Sequence, residues 1–351
     1  MRPSRTLGFA FLIISLTLCA ALTPAQQNQI TAPQQSTLAP SPTPTQFAKK
    51  LNVIVLDKKG APVNDLRQED FQVSEDGTPQ TITSFAHAAA PVSYALVMDN
   101  SGSLREQIKQ IARIGVAVTA GNRADDETAI LRFISRDTIE LIQTLTADQA
   151  QFEGALDNLY AQGGQTAIID AVYLSGAYVM AQGQRGENRH RALVLVTDGE
   201  DRASFYKLND LLRYLRWADV QVFSIGLVQE LDKQGGLISS GSREKAERLL
   251  NTLAEETGGR VFYPKKLEQL RDAVDAIRHD LHTQYVISYT PTNQTTDDTL
   301  RKVQIKLVER PGTEKRTIIV RSDYIVTPPP PANPKSGAPR IKTKPWNVPA
   351  H

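Results

Sequence analysis

The chain has 351 residues, 40% of them hydrophobic and 22% charged, with 40 Lys and Arg against 38 Asp and Glu for a net charge of +2. That length and apolar content suit one full domain of roughly 200 residues with a smaller companion, and they exclude a coiled coil or a disordered protein. The near-balanced charge makes no global field of the kind that attracts nucleic acid, so a partner has to be chosen at a local site.

Residues 1–25 read as an export signal, because Arg2 and Arg5 precede an apolar run over 7–22 and Thr23-Pro24-Ala25 offers small residues for cleavage. The run is short and interrupted for a membrane span, and an uncleaved anchor is the alternative. Cys19 is the only cysteine, so a chain cleaved after residue 25 can form no disulfide; lipid attachment at Cys19 is disfavoured by the bulky Leu18 before it. Export leaves periplasm, cell surface and extracellular medium open. Residues 26–47, rich in Gln, Thr, Pro and Ala, hold too few large apolar groups to offset the cost of ordering and read as a flexible leader.

Short alternating runs then predict strands at 51–56, 71–74 and 80–85, separated by the turns Asp57-Lys58-Lys59-Gly60 and Glu75-Asp76-Gly77. These three strands read as a small antiparallel unit, 48–90, whose core is marginal alone. A matching set, 285–289, 300–308 and 316–321, lies near the other end of the chain. Segments 48–90 and 285–326 are therefore expected to pack as one β-sandwich-like domain.

Residues 91–284 alternate strand and helix patterns, which predicts an α/β fold built on a doubly wound, mostly parallel sheet covered on both faces. The strands are expected at 93–98, 128–134, 191–197, 220–225 and 260–263, and the helices at 104–119, 147–159, 168–181, 206–218, 243–257 and 266–282. The run 138–143 follows its predecessor after only the Arg136-Asp137 turn and should be an antiparallel hairpin partner at the sheet edge. Residues 327–351, with Pro328 to Pro331 and then Lys335, Arg340, Lys342 and Lys344, read as a solvated, disordered tail, with a specific anion or membrane contact through its basic residues as the alternative.

In such a sheet, ligands bind beyond the carboxyl ends of the strands, where strand order reverses. The strand 93–98 runs into Asp99-Asn100-Ser101-Gly102-Ser103, the strand 191–197 into Asp198-Gly199, and Gly163-Gly164-Gln165-Thr166 opens the helix at 168. A single Asp-x-Ser is as readily a helix N-cap. Three loops bringing Asp99, Ser101, Ser103, Thr166 and Asp198 to one side form instead an all-oxygen donor set without His or Cys, suited to Mg²⁺, Mn²⁺ or Ca²⁺ rather than zinc. Around it, Glu200 and Asp201 read as a solvated loop start and helix cap, with tuning of the metal or acid–base work as the alternative, and Asp170 either braces the Thr166 loop by hydrogen bonds or complements the N-terminal end of its own helix. His279 and His282 read as residues of a surface helix, and the segment 235–242 as a connector or a ligand-contacting insert. Gly-x-Ser-x-Gly, P-loop and His-Glu-x-x-His motifs are missing, so no enzymatic activity is expected.

Asp99-Asn100-Ser101-Gly102-Ser103, Gly164-Gln165-Thr166 and Thr197-Asp198-Gly199 together resemble the metal ion-dependent adhesion site of von Willebrand factor type A domains. The resemblance spans about 91–284 and includes the Thr257-Gly258-Gly259 turn; the flanking segments further resemble a group of exported acidobacterial proteins built around that domain. It implies a six-stranded sheet in the order 3-2-1-4-5-6, direct metal binding by Ser101 and Ser103, by Thr166 in the ligand-competent state, and direct or water-mediated binding by Asp99 and Asp198. An open coordination position would take a carboxylate from a partner protein, as in adhesion modules, and the helix 266–282 would move with metal occupancy. A hydrolase using the same cation, or a scaffold in which the metal only stabilises, are the alternatives.

Overall fold

A computed structural model describes residues 48–88, 90–184, 189–229, 239–310, 312, 314–327 and 337–343. The expected export signal, the flexible leader, residues 235–238 of the 235–242 segment and most of the proline-rich tail lie outside these residues, while 239–242 belong to a helix rather than a connector.

The chain enters through β1 (Lys49–Leu56), β2 (Phe71–Glu75), β3 (Thr78–Gln80) and β4 (Ile82–Ala88). Next come β5 (Val92–Asp99), α1 (Ile108–Thr119), β6 (Glu127–Ser135), β7 (Thr138–Thr146), α2 (Gln149–Asp157), α3 (Ile168–Gln182), β8 (His190–Thr197), α4 (Leu208–Ala218) and β9 (Val220–Gly226). The remainder is α5 (Ser239–Thr257), β10 (Val261–Phe262), α6 (Leu267–His282), β11 (Gln284–Tyr289), β12 (Leu300–Leu307), β13 (Thr317–Ile319), β14 (Asp323–Ile325) and β15 (Ile341–Thr343). None of the described helices is long and apolar enough to cross a membrane.

The large sheet runs β10-β9-β8-β5-β6-β7-β15. β5 lies parallel to both β6 and β8, so the winding direction reverses there and Asp99 and Asp198 follow neighbouring strands. β7 is antiparallel to β6, as the tight Arg136-Asp137 turn requires. Covered on both faces, β5 is buried along its whole length. Tyr94, Leu96 and Met98 belong to a core with Ile111, Ile114 and Ile277 from α1 and α6, while Ala95 and Val97 share the opposite core with Val172, Leu215 and Leu250 from α3, α4 and α5. Each large aliphatic side chain buried this way contributes about 1.5–3 kcal/mol, which holds the strand that presents Asp99 firmly in place.

The expected six-strand sheet gains a seventh strand. Ile341, Lys342 and Thr343 pair in parallel with Ile139, Glu140 and Leu141, and Ile341 packs against the core, so this part of the tail is ordered β-structure rather than disordered chain. One apolar residue among prolines and lysines sets no period, which is why the sequence pattern did not reveal it.

The N-terminal strands do not form one antiparallel sheet of their own; they are divided between two sheets, each shared with strands from the C-terminal flank. β1 pairs with β11 and β13, and β4 with β11, whereas β2 pairs with β12 and β3. The cause is the turn at Asp76 and Gly77, whose φ angles of 48° and 81° give the mirror-image backbone that suits a two-residue hairpin and folds the added strand β3 onto β2. The two small sheets enclose a shared core that includes Leu51, Val53, Phe71, Tyr285, Ile287 and Val303.

The Thr257-Gly258-Gly259 turn places β10 against β9. Gly258 has φ 74°, and a Cβ on Gly259 would lie 2.0 Å from the Val222 carbonyl oxygen. Gly259→Ala should therefore displace β10 and lower stability by about 3 kcal/mol, read as an earlier urea midpoint. An unchanged midpoint would show that the close approach has no energetic weight.

Candidate functional site

Burial of β5 and β8 brings two carboxylates to adjacent strand ends, and the local turns determine where their oxygens point. Past Asp99 the chain passes through extended Ser101 into a 3-10 turn at Gly102–Gln107. Asp99 Oδ1 accepts the Ser101 N–H at 2.9 Å, and Asp99 Oδ2 accepts the Thr197 hydroxyl at 2.6 Å. Ser101 Oγ and Ser103 Oγ lie 2.9 Å apart, and Ser103 Oγ donates to Asp198 Oδ2 at 2.7 Å. Asp198 Oδ1 accepts the Glu200 N–H at 3.0 Å. Asp99, Ser101, Ser103 and Asp198 thus form one connected polar network, with both carboxylates fully buried.

The third loop is fastened beside it. Gln162 N–H donates to Asn100 O at 2.9 Å, Asn100 Nδ2 donates to Tyr160 O at 2.9 Å, and a Cβ on Gly102 would lie 3.4 Å from Gly163 Cα. Buried Thr166 takes part through its backbone: its carbonyl accepts the N–H groups of Arg202 and Ala203 at 2.9 and 3.1 Å. Its hydroxyl stands outside the hydrogen-bond network that joins the other four residues.

The neighbouring acidic residues hold loops. Asp170 braces the segment after Asp198 rather than the Thr166 loop, its Oδ2 accepting the Phe205 N–H at 2.8 Å and its Oδ1 the Tyr206 N–H at 2.8 Å. Asp201 accepts the Ile169 N–H at the start of α3 at 3.2 Å, and Glu200 pairs with Arg202 at 2.5 Å. His282, read from sequence as a surface residue, is buried, with Nε2 2.6 Å from Asp126 Oδ2 and Nδ1 2.8 Å from the Arg278 carbonyl. The helical spacing of His279 and His282 could not reveal that the second meets an acid 156 positions away.

Burial pushes the Asp99 carboxyl up, to about 7, and the charge of Asp198 adds to the effect, while hydrogen bonds from Thr197 and Ser101 offset part of it. Asp198 is also raised, again chiefly by burial. Among the described residues neither carboxylate has an ion-pair partner. Two buried carboxylates, two hydroxyls and the threonine loop thus gather hard oxygen atoms with no cationic side chain in direct contact, Arg202 acting on Asp198 only through space, and that chemistry fits a divalent cation of the Mg²⁺ type. No group of three or more His, Cys, Asp or Glu side chains is assembled among the described residues, so hydroxyl donors would be as important as acids.

Sequence reasoning missed the contributions of Thr197, Asn100 and Tyr160. Thr197 occupies the last position of a buried strand, where a hydroxyl needs a partner, and that partner is Asp99. Tyr160 is held over the guanidinium of Arg132, 4.0 Å from its ring centre, and Arg132 is paired with Glu140 across the β6–β7 hairpin. Two charged residues on strands expected to be buried were the available signal for that pair.

The family described as von Willebrand factor type A domain matches residues 94–200. None of the curated proteins matches the chain. Among solved structures, the chain is similar to an aerotolerance-related membrane protein from Bacteroides fragilis NCTC 9343, at 20% identity over 54% of this chain and 98% of that one, with a TM-score of 0.41. It is similar as well to the conserved hypothetical protein BatB from Bacteroides thetaiotaomicron (16% identity, 54% and 97% covered, TM-score 0.39). A third likeness is to proximal thread matrix protein 1 of the mussel byssus (14% identity, 55% and 49% covered, TM-score 0.41).

Proposed function

Residues 94–200 belong to the von Willebrand factor type A domain family, and on that premise we propose that this chain is an exported, adhesion-type interaction module that binds an acidic group of a partner protein through Mg²⁺ or a similar hard cation, Mn²⁺ or Ca²⁺. The observation that carries this reading is the joining of Asp99, Ser101, Ser103 and Asp198 in one network at adjacent strand ends, with neither acid in an ion pair among the described residues. Asp99, Ser101, Ser103, Thr166 and Asp198 would hold the cation. When bound, it supplies a positive centre with a coordination position left for an oxygen from another protein.

The chain's own contribution is to keep the donors in place. Thr197 and the Ser101 N–H fix the two oxygens of Asp99, and Asp170 and Asp201 tie the loop after Asp198 to α3. No catalytic step belongs to this reading, because the acids around the network are engaged with backbone N–H groups or with Arg202. Export is supported by the basic and apolar leading segment.

The test is capture of envelope proteins on the immobilised chain in Mg²⁺ and in chelator, with Asp99→Ala and Ser101→Ala as controls. Capture should disappear in chelator and in both variants while their far-ultraviolet circular dichroism stays that of the wild type. Capture that survives chelation would refute the cation's role in partner binding.

A further inference from the structure

We propose that the chain forms a two-fold symmetric dimer by antiparallel pairing of β4 with β4 of a second copy. Among the described residues the three sheets end in six edge strands, and five of them, β3, β10, β13, β14 and β15, are only two or three residues long. Those five also contain or adjoin a proline or a charge: Pro79, Arg260, Arg316, Asp323 and Lys342. Short, charged or proline-bearing edges are how β-proteins prevent unwanted strand addition. β4 has neither protection. It is seven residues long, pairs only with β11 among the described residues, and carries the sequence Ile-Thr-Ser-Phe-Ala-His-Ala. No Asp, Glu, Lys or Arg occurs anywhere between Asp76 and Asp99.

A second copy is the occupant that these features fit. Antiparallel pairing about a two-fold axis at Phe85 sets Ser84 opposite Ala86 of the second copy, and an uncharged strand meets itself without like charges facing each other. Phe85 and His87 are already packed on Tyr285, so Ser84 and Ala86, both exposed, form the outward face of the pair. The pairing is isologous, so the β4 edge of each copy is satisfied by that of the other and the contact closes at two. It also leaves the candidate site clear. β4 leads into the start of β5, while Asp99 lies at the far end of that strand, about 25 Å away at the usual rise. Two outward-facing sites on one particle would strengthen individually weak contacts to a multivalent partner.

Sedimentation velocity of the full-length protein decides the matter, with two double variants and circular dichroism to check folding. The wild type should sediment as a dimer, in chelator as well as in Mg²⁺, which separates this pairing from the cation reading. Ser84→Lys with Ala86→Lys places ammonium groups opposite each other and should raise the dimer dissociation constant by about 100-fold or more. Ser84→Lys with Ala86→Asp turns the same positions into two opposite-charge pairs and should keep the dimer. A wild type that stays monomeric at millimolar concentration, a doubly lysine-substituted dimer, or a folded Lys/Asp variant that is monomeric would each overturn the proposal.

Discussion

Asp99→Asn is expected to make the cation-free protein more stable while abolishing its response to Mg²⁺. The folded Asp99 carboxyl titrates at about 7 against an ordinary value of 3.8, so between those values the folded protein holds a proton that the unfolded chain has released. Stability therefore falls as pH rises from 3.8 to 7, and the deficit remains in full above that window. The difference corresponds to about 4 kcal/mol on the usual conversion, an upper bound for a carboxyl interacting with a neighbouring acid. An asparagine avoids this cost but accepts with one oxygen where Asp99 accepts from both the Ser101 N–H and the Thr197 hydroxyl, a loss of about 1 kcal/mol. A net gain of about 2 kcal/mol is expected in chelator at about pH 8, shrinking towards zero or reversing at about pH 4. Urea denaturation at the two pH values measures it. Wild-type melting temperature should rise with added Mg²⁺ and the variant's should not. A variant less stable than the wild type in chelator at the higher pH would count against the electrostatic origin of the site.

Glu140→Ala should be the more damaging change. Arg132 and Glu140 have side chains only 4% and 6% exposed, and the guanidinium would retain the neutral Tyr160 hydroxyl at 2.6 Å but no counter-charge. Removing one member of such a buried pair costs about 3–5 kcal/mol. Replacing both, Arg132→Met with Glu140→Leu, should recover most of that loss, because neither charge is then left behind in the core. Denaturant midpoints of the single and double variants measure both effects. A single variant within about 1 kcal/mol of the wild type would mean that water reaches the pair.

What could be read from the sequence follows the range of each signal. The run from Ser93 to Met98 is apolar on both faces, which only a doubly covered strand requires, and so the central sheet was legible. The order of its strands came from the resemblance to a known domain, as did the assignment of roles to Asp99, Ser101, Ser103, Thr166 and Asp198. What escaped depends on contacts between distant residues with no local pattern: His282 with Asp126, Arg132 with Tyr160, and the Ile341 strand on β7. The division of β2 and β4 between two sheets was hidden for another reason. The Asp76-Gly77 pair was recognised as a turn, but the strand it would return, Thr78-Pro79-Gln80, is short and contains a proline, so its alternation is too weak to register.

Calorimetric titration of Mg²⁺ into the wild type and into Asp99→Ala, Ser103→Ala and Asp198→Ala is the most direct measurement of whether three loops form a cation site. One saturable site per chain is expected in the wild type and none in the three variants, all with native circular dichroism. Equal Mg²⁺ affinity in the wild type and in folded Asp99→Ala and Asp198→Ala proteins, or no binding in the wild type, would contradict it.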